Sequence, residues 1–175
     1  FSELPARLYL FQSVPKSDKM DLIIQKAVEL GVYEIVPVYT EYTVVKLTRE
    51  KEEKRRRRWQ AIAENAAKQA GRGIIPAVSG FLTFEEALDE AGKLDRVLLP
   101  YEKAEGMEAA RRIVGSLDGA ESIGLFIGPE GGFSEAEVSR AVQKKAEVMS
   151  LGRRILRTET AGLAVLSILM FRLEK

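Results

Sequence analysis

The stretch "SIGLFIGPEGGFSEAEV" at residues 122–138 decides the fold class. Its first seven residues form an apolar run, as expected for a strand buried on both faces of a sheet. A helix start follows, marked by the capping pattern Ser134-x-x-Glu137. A buried strand that runs through a glycine-rich loop into a helix is typical of an α/β domain. The loop contains three glycines: Gly128, Gly131 and Gly132.

The same alternation extends in both directions from this stretch. With 175 residues the chain is long enough for one domain with one core. We expect an α/β fold with a mostly parallel sheet and helices on both faces. The predicted extended segments are 7–14, 33–40, 74–80, 96–102, 122–128 and 147–152. The predicted helices are 18–30, 48–70, 83–92, 106–117, 134–146 and 160–172.

The composition excludes several classes of chemistry. The chain has no cysteine and no histidine, which excludes disulfides, the usual zinc sites and a histidine base. The longest apolar run, 161–171, is well short of the roughly 20 residues that span a bilayer. No export signal stands at the start, so we expect a cytoplasmic protein without membrane contact. A first residue of Phe1 rather than Met predicts a piece of a longer protein.

Three loops follow predicted strands and are expected to meet at the carboxyl edge of the sheet, where α/β domains bind ligands. They are "LLPYE" (98–102), "IGPEGGF" (127–133) and "LGRRILRTETAG" (151–162). None matches a dinucleotide or P-loop fingerprint. Because Glu135 and Glu137 already occupy the positive end of the helix that follows, a polyanion is disfavoured there. A cationic or zwitterionic ligand fits better.

The segment just before the last helix contains two threonines, a glutamate and an arginine. Thr158 or Thr160 is expected to cap that helix, and Glu159 suits the positive end of its dipole. Arg157 is a cation at an unfavourable end of the dipole, so another interaction should hold it there.

Two features of helix 48–70 leave alternatives open. The basic tract "KRRRR" (54–58) is either a solvated face, with Glu52 paired to Arg56 and Glu53 to Arg57, or a surface that contacts RNA phosphates. At the other end of the helix, polar side chains recur at i, i+4 and i+7 and either read a base or join two helices. They are Asn65, Gln69 and Arg72.

These residues resemble a known family. "IGPEGGFSEAEV" followed by "LGRRILRTETAGLAVLSIL" is similar to the paired C-terminal motifs of the RsmE family, the 16S ribosomal RNA uracil-N3 methyltransferases of the SPOUT superfamily. Residues 25–43 and 59–76 resemble earlier blocks of the same family. The resemblance implies a SPOUT domain at 7–175 with a deep C-terminal trefoil knot, and a homodimer. Residues 1–6 would be the remnant of a linker to a PUA-like domain.

The resemblance also implies S-adenosylmethionine as cofactor, 16S RNA of the small ribosomal subunit as partner, and no metal. Since histidine is absent, we assign acceptance of the N3 proton to Glu159 or Glu130, directly or through water, and stabilisation of the uracil anion to Arg157. The cofactor would contact Leu99, Pro100, Ile127, Gly128, Gly131, Gly132, Leu151, Gly152, Ile155, Leu156, Thr160 and Ala161. RNA would contact Gln69, Arg72, Arg153 and Arg154.

Two other functions remain open at this stage. One is a doubly wound enzyme that binds a nucleotide or dinucleotide, although its fingerprint is missing. The other is an RNA-binding module without catalytic activity.

Overall fold

The computed structural model describes residues 2–175. Within them, seven strands form a single sheet at the centre of the molecule, and every pairing is parallel. The strands are β1 (Arg7–Ser13), β2 (Glu34–Tyr39), β3 (Ala77–Val78), β4 (Leu82–Thr83), β5 (Arg96–Pro100), β6 (Ser122–Ile127) and β7 (Glu147–Met149). Strand order is β3-β2-β1-β6-β5-β7, with β4 also paired to β2.

Six helices of the described residues cover both faces of the sheet. They are α1 (Lys19–Glu29), α2 (Arg49–Gln69), α3 (Phe84–Ala91), α4 (Glu108–Gly115), α5 (Glu135–Gln143) and α6 (Thr158–Leu173). On one face, α1, α2, α4 and α6 pack over side chains such as Leu8 and Leu10 of β1. On the other face, α3 and α5 pack over Phe11. This confirms the predicted α/β fold class, while the trefoil knot stays a prediction.

The ends of several helices follow from the sequence signals. Gly31 has φ +101° just after α1, the left-handed conformation that glycine adopts at a helix end. Thr83 caps α3, as the capping-box pattern Thr83-x-x-Glu86 in the sequence predicts. Thr48 caps α2 by accepting the Lys51 N–H. At α1, Asp18 occupies the cap position without a side-chain hydrogen bond.

A proline within a strand usually marks an edge strand or a bulge, but Pro37 belongs to β2, which lies inside the sheet. It pairs with β1 on one side, where Pro37 is opposite Gln12. On the other side β3 pairs with β2 up to Ile35, and β4 resumes the pairing at Val38. Pro37 therefore lies between the segments that pair with β3 and with β4. Since neither strand pairs with it there, its lack of an N–H costs no hydrogen bond on that side of the sheet.

Residues 2–6 pack against the domain. Ala6 is buried, and the Ser2 hydroxyl accepts a hydrogen bond of 2.8 Å from the Gly73 N–H. The linker predicted at 1–6 stays a prediction, and its first residue lies outside the described part of the chain. Among the helices of residues 2–175, none combines the length and apolar content needed to cross a bilayer.

Candidate active site

The three loops singled out in the sequence lie side by side and enclose a cavity of about 320 Å³. They follow β6, β5 and β7, which are neighbours in the sheet, so their carboxyl ends meet at one edge. The start of α6 and Lys19 of α1 complete the wall. The lining residues are Lys19, Pro100, Tyr101, Glu102, Ile127, Gly128, Pro129, Glu130, Gly132, Phe133, Leu151, Gly152, Arg154, Ile155, Leu156, Arg157, Thr158 and Ala161.

Most of the predicted cofactor residues line this cavity, but three do not. Leu99 is fully buried in the core between the sheet and the α3 and α5 side. Gly131 faces away, since a Cβ there would lie 3.0 Å from the Tyr42 Cβ. Thr160 is exposed on α6. Those that do line it are Pro100, Ile127, Gly128, Gly132, Leu151, Gly152, Ile155, Leu156 and Ala161.

The glycine loop after β6 closes on itself. The Gly132 N–H donates to the Pro129 carbonyl at 2.9 Å, and Gly132 has φ +76°. A Cβ on Gly128 would lie 3.2 Å from the Gly132 carbonyl carbon and 3.3 Å from the Phe133 ring. Because the first of these contacts is to backbone, a Cβ at position 128 would require the loop to shift by a few tenths of an ångström. Glycine at this position therefore allows the close approach of the chain to itself.

The N-terminal end of α5 faces this loop, and side chains of the chain itself already bind its free N–H groups. Ser134 and Glu137 form the predicted capping box. Glu137 is almost fully buried and also accepts the Glu41 N–H at 3.0 Å, which ties the segment after β2 to the start of α5. A carboxylate satisfies this helix end, so the helix offers no cradle for a phosphate. This agrees with the expectation from the sequence.

Glu130 is engaged by the start of α1. Its carboxylate accepts the Lys16 N–H at 3.1 Å and the Lys19 ammonium at 3.0 Å. Burial by itself would raise the pKa of Glu130, but hydrogen bonds from its own backbone, Lys19 and Lys16 outweigh that effect and lower it. Glu130 is therefore ionised at neutral pH and is a weak base.

The start of α6 is held by a buried chain of hydrogen bonds. The amide Nε2 of Gln12 donates to the Thr158 hydroxyl at 2.9 Å, and that hydroxyl donates to the Gly128 carbonyl at 2.7 Å. Gln12 is fully buried at the end of β1. The chain therefore links β1, the glycine loop and α6 behind the cavity.

The predicted cap of α6 is wrong. Arg157 occupies the cap position and makes no side-chain cap bond, because the Thr158 hydroxyl is turned toward Gly128 instead. Arg157 is exposed and lines the cavity. Glu159 does not line it, but its Oε1 is buried and has no hydrogen-bond partner within residues 2–175.

The four predicted RNA contacts have different surroundings. Arg154 lines the cavity and Arg153 is exposed beside it. Gln69 is exposed at the end of α2. The Arg72 side chain is only 4% exposed, pairs with Glu3 and donates to the Val28 and Val32 carbonyls. The structure thus gives Arg72 a role in joining α2 to α1 and the chain start.

Six residues that line the cavity were not among the predicted site residues, although five of them lie in the three predicted loops. Lys19 lies at the start of a helix whose position was predicted, but its approach to Glu130 crosses 111 positions of sequence. Thr158 was expected to act only as a cap. The others are Tyr101, Glu102, Pro129 and Phe133. No group of three or more carboxylates that could hold a metal ion occurs in the described residues.

The chain is similar to known RNA methyltransferases. Residues 2–170 match the model of a family described as RNA methyltransferase domain. The chain is 39% identical over 175 residues to ribosomal RNA small subunit methyltransferase E of Bacillus subtilis, covering 98% of this chain and 68% of the relative. It is 32% identical to the protein of the same name from Mesomycoplasma hyopneumoniae, covering 92% and 68%.

Two solved structures are similar throughout the chain. Ribosomal RNA small subunit methyltransferase E from Neisseria gonorrhoeae, bound to S-adenosyl methionine, superimposes with a TM-score of 0.81 at 34% identity. A methyltransferase from Legionella pneumophila with bound SAM gives 0.87 at 33% identity. Each match covers 97% of this chain and 67% of the other. The chain therefore spans about two thirds of the length of these relatives.

Proposed function

The chain belongs to the RNA methyltransferase domain family, among relatives named ribosomal RNA small subunit methyltransferase E, and we propose that it transfers a methyl group from S-adenosylmethionine to N3 of a uridine in 16S ribosomal RNA. Two solved relatives carry the same cofactor. This supports methyl transfer over the nucleotide-binding enzyme that the sequence left open.

The main support for this proposal is the cavity enclosed by the three loops that follow adjacent parallel strands. Its wall contains both positively and negatively charged side chains. Glu102 and Glu130 lie in its wall together with Lys19, Arg154 and Arg157. A zwitterion with an added sulfonium charge suits such a wall, whereas a polyphosphate would meet the carboxylates. The volume of about 320 Å³ lies at the small end of the range for ligand pockets.

The apolar part of the wall would hold the uncharged parts of the cofactor. When bound, S-adenosylmethionine supplies an electrophilic methyl carbon. Ile127, Leu151 and Leu156 exclude water from one side of the cavity, and Gly128 and Gly132 let the backbone approach closely. Fixing the methyl acceptor in line with that carbon contributes roughly 7–11 kcal/mol to lowering the barrier.

The acceptor nitrogen must lose its proton before it can bond to the methyl carbon. We assign proton acceptance to Glu130, directly or through a water, because its carboxylate lines the cavity. Hydrogen bonds from Lys16 and Lys19 lower the pKa of Glu130 and make it a weak base. Glu159, the other carboxylate considered, does not line the cavity, and its Oε1 is buried without a hydrogen-bond partner within residues 2–175. Arg157 at the rim would stabilise the negative charge that spreads over the ring carbonyls.

A second copy of the chain is part of the proposal. The outer side of α6 exposes Ile168 by 42% and Phe171 by 85%, three positions apart on one face. A homodimer that buries this face would remove two large apolar side chains from water. We place the protein in the cytoplasm, where unmodified ribosomal subunits are found.

The test is methyl transfer from labelled S-adenosylmethionine to small ribosomal subunits that lack the modification. Nucleoside analysis should yield 3-methyluridine. Binding of RNA without transfer would support the non-catalytic RNA-binding module instead, and a different methylated nucleoside would refute the choice of atom.

The role of Arg157 is tested separately. Arg157→Ala should lower kcat by about 10²–10³ while leaving the affinity for S-adenosylmethionine within a few-fold. Arg111→Ala removes an exposed cation from α4 and serves as the control. Equal kcat for the two variants would remove Arg157 from the mechanism.

A further inference from the structure

Part of the basic tract of α2 carries cations that no carboxylate neutralises. Lys51, Lys54 and Arg55 are all exposed, and none of them forms an ion pair within residues 2–175. The pairs expected for a solvated face, Glu52 with Arg56 and Glu53 with Arg57, do not form.

Two nearby carboxylates, Glu52 and Glu53, contact other residues. Glu52 accepts a hydrogen bond of 2.7 Å from the Tyr39 hydroxyl. Glu53 pairs with Arg56 at 2.6 Å, three positions away. Glu53 therefore neutralises Arg56, on another side of the helix, and leaves the exposed cations free to bind an external anion.

These cations lie on one side of α2. Positions 51, 54, 55 and 58 differ by three, four and seven, so their side chains share a helix face. We call Lys51, Lys54, Arg55 and Arg58 the α2 stripe. No large apolar side chain occupies these four positions, which argues against contact with a membrane or an apolar protein surface.

The α2 stripe is connected to the cavity through α1. Arg58 donates to the Asp21 carboxylate at 2.6 Å, and Asp21 lies in the first turn of α1. Lys19, the first residue of that helix, lines the cavity and pairs with Glu130. A series of direct contacts and one helical turn thus leads from the cavity to the α2 stripe.

We infer that the α2 stripe binds the backbone phosphates of the RNA whose target nucleotide enters the cavity. This inference rests on the proposed function and adds the surface along which the RNA runs, past the first turn of α1 and along α2. Phosphates suit the stripe because its exposed ammonium and guanidinium groups at positions 51, 54 and 55 have no internal counter-ions within residues 2–175. Such contacts position the RNA and carry no base specificity.

The experiment measures binding of the full chain to a fluorescein-labelled single-stranded RNA at several salt concentrations. Lys54→Gln combined with Arg55→Gln should weaken binding several-fold at low salt. The slope of log K against log salt should fall in magnitude by about 1.4, because each phosphate neutralised by one cation accounts for about 0.7 of it. Glutamine preserves helix propensity at both positions, and a thermal melt verifies folding.

The matched control is Arg111→Gln combined with Arg112→Gln, which removes the same charge from two exposed cations of α4 that form no ion pair within residues 2–175. It should leave the slope unchanged. An equal reduction in both double variants, or no reduction in either, would overturn the inference. A decrease in polyglutamate binding that matches the decrease in RNA binding would assign the stripe to an acidic protein and also overturn it.

The inference and the proposed function can fail separately. A calorimetric titration with S-adenosylmethionine uses no RNA, and the α2 double variant should bind the cofactor as the unmodified chain does. If the chain binds the cofactor but shows no salt-dependent RNA binding, the proposed role of the α2 stripe is contradicted and the proposed methyl donor is not. A chain that binds RNA through the stripe but does not bind S-adenosylmethionine contradicts the proposed methyl donor.

Discussion

Replacing Thr158 with valine removes a hydroxyl behind the cavity and keeps the shape of the side chain. The substitution should therefore isolate the contribution of the hydroxyl. The hydroxyl donates to the Gly128 carbonyl at 2.7 Å and accepts from Gln12 Nε2 at 2.9 Å. Thr158 is only 5% exposed, so water cannot readily replace both partners. Removing each bond costs about 1 kcal/mol, and the carbonyl left without a donor adds a similar amount.

We therefore expect Thr158→Val to lower the free energy of unfolding by about 2–3 kcal/mol. The affinity for S-adenosylmethionine should also fall, because the valine variant no longer fixes the Gly128 wall against α6. Gln12 retains one bond, from its amide to the Ser13 carbonyl at 3.0 Å, so the effect should centre on the glycine loop.

Urea denaturation and calorimetric titration with the cofactor measure the two effects. Thr158→Ser is the control, since it keeps the hydroxyl and removes only a methyl group. If the valine and serine variants unfold at the same urea concentration, the hydrogen-bond chain from Gln12 to Gly128 does not stabilise the protein.

Three further substitutions test other parts of the structure. Gly128→Ala places a Cβ 3.2 Å from the Gly132 backbone, so stability should fall by about 1–3 kcal/mol and cofactor binding should weaken in calorimetry; unchanged binding would contradict the close approach. Tyr39→Phe removes the bond to Glu52 and should cost about 1 kcal/mol in urea denaturation. Burial, with a smaller effect from Glu52, raises the pKa of Tyr39 from 10.0 to about 12. Because the folded-state pKa is the higher one, the stability of the tyrosine protein should be greatest below pH 10.0 and should fall as pH rises toward about 12. Tyr39→Phe has no such titration, so the advantage of tyrosine should disappear and reverse over that range. Arg72→Met leaves Glu3 without its ion pair and should destabilise the chain by about 3 kcal/mol, since the arginine is only 4% exposed; a decrease in RNA affinity at unchanged stability would instead support the predicted RNA contact.

The sequence predicted features that depend on neighbouring residues or on a general rule of α/β sheets. Apolar periodicity located the helices and most strands, and the capping boxes at Thr83 and Ser134 were correct because their partners lie three residues away. The three loops were expected to meet because parallel strands end at one edge of the sheet. The fold class and most of the cavity wall therefore followed from local patterns.

The remaining features depend on contacts between distant residues that leave no periodic signal. Thr158 resembles a cap in the sequence, yet its hydroxyl bonds to a carbonyl 30 positions away. Arg72 has the spacing of a recognition residue, yet it is held by Glu3, 69 positions earlier. Glu52 could pair with Arg56 on an isolated helix, but in the folded chain its carboxylate accepts a hydrogen bond from the Tyr39 hydroxyl. In each case tertiary contacts override a local preference.

The wall of the cavity that comes last in chain order, from Leu151 to Ala161, is synthesised after all the other walls. Its Thr158 must then find Gln12, which is translated 146 residues earlier. A nascent chain that still lacks α6 can pair β1 with β2 but cannot enclose a ligand. The ability to bind a ligand in this cavity therefore arises only after residues 151–161 have been synthesised, so nascent chains that still lack them should not sequester it.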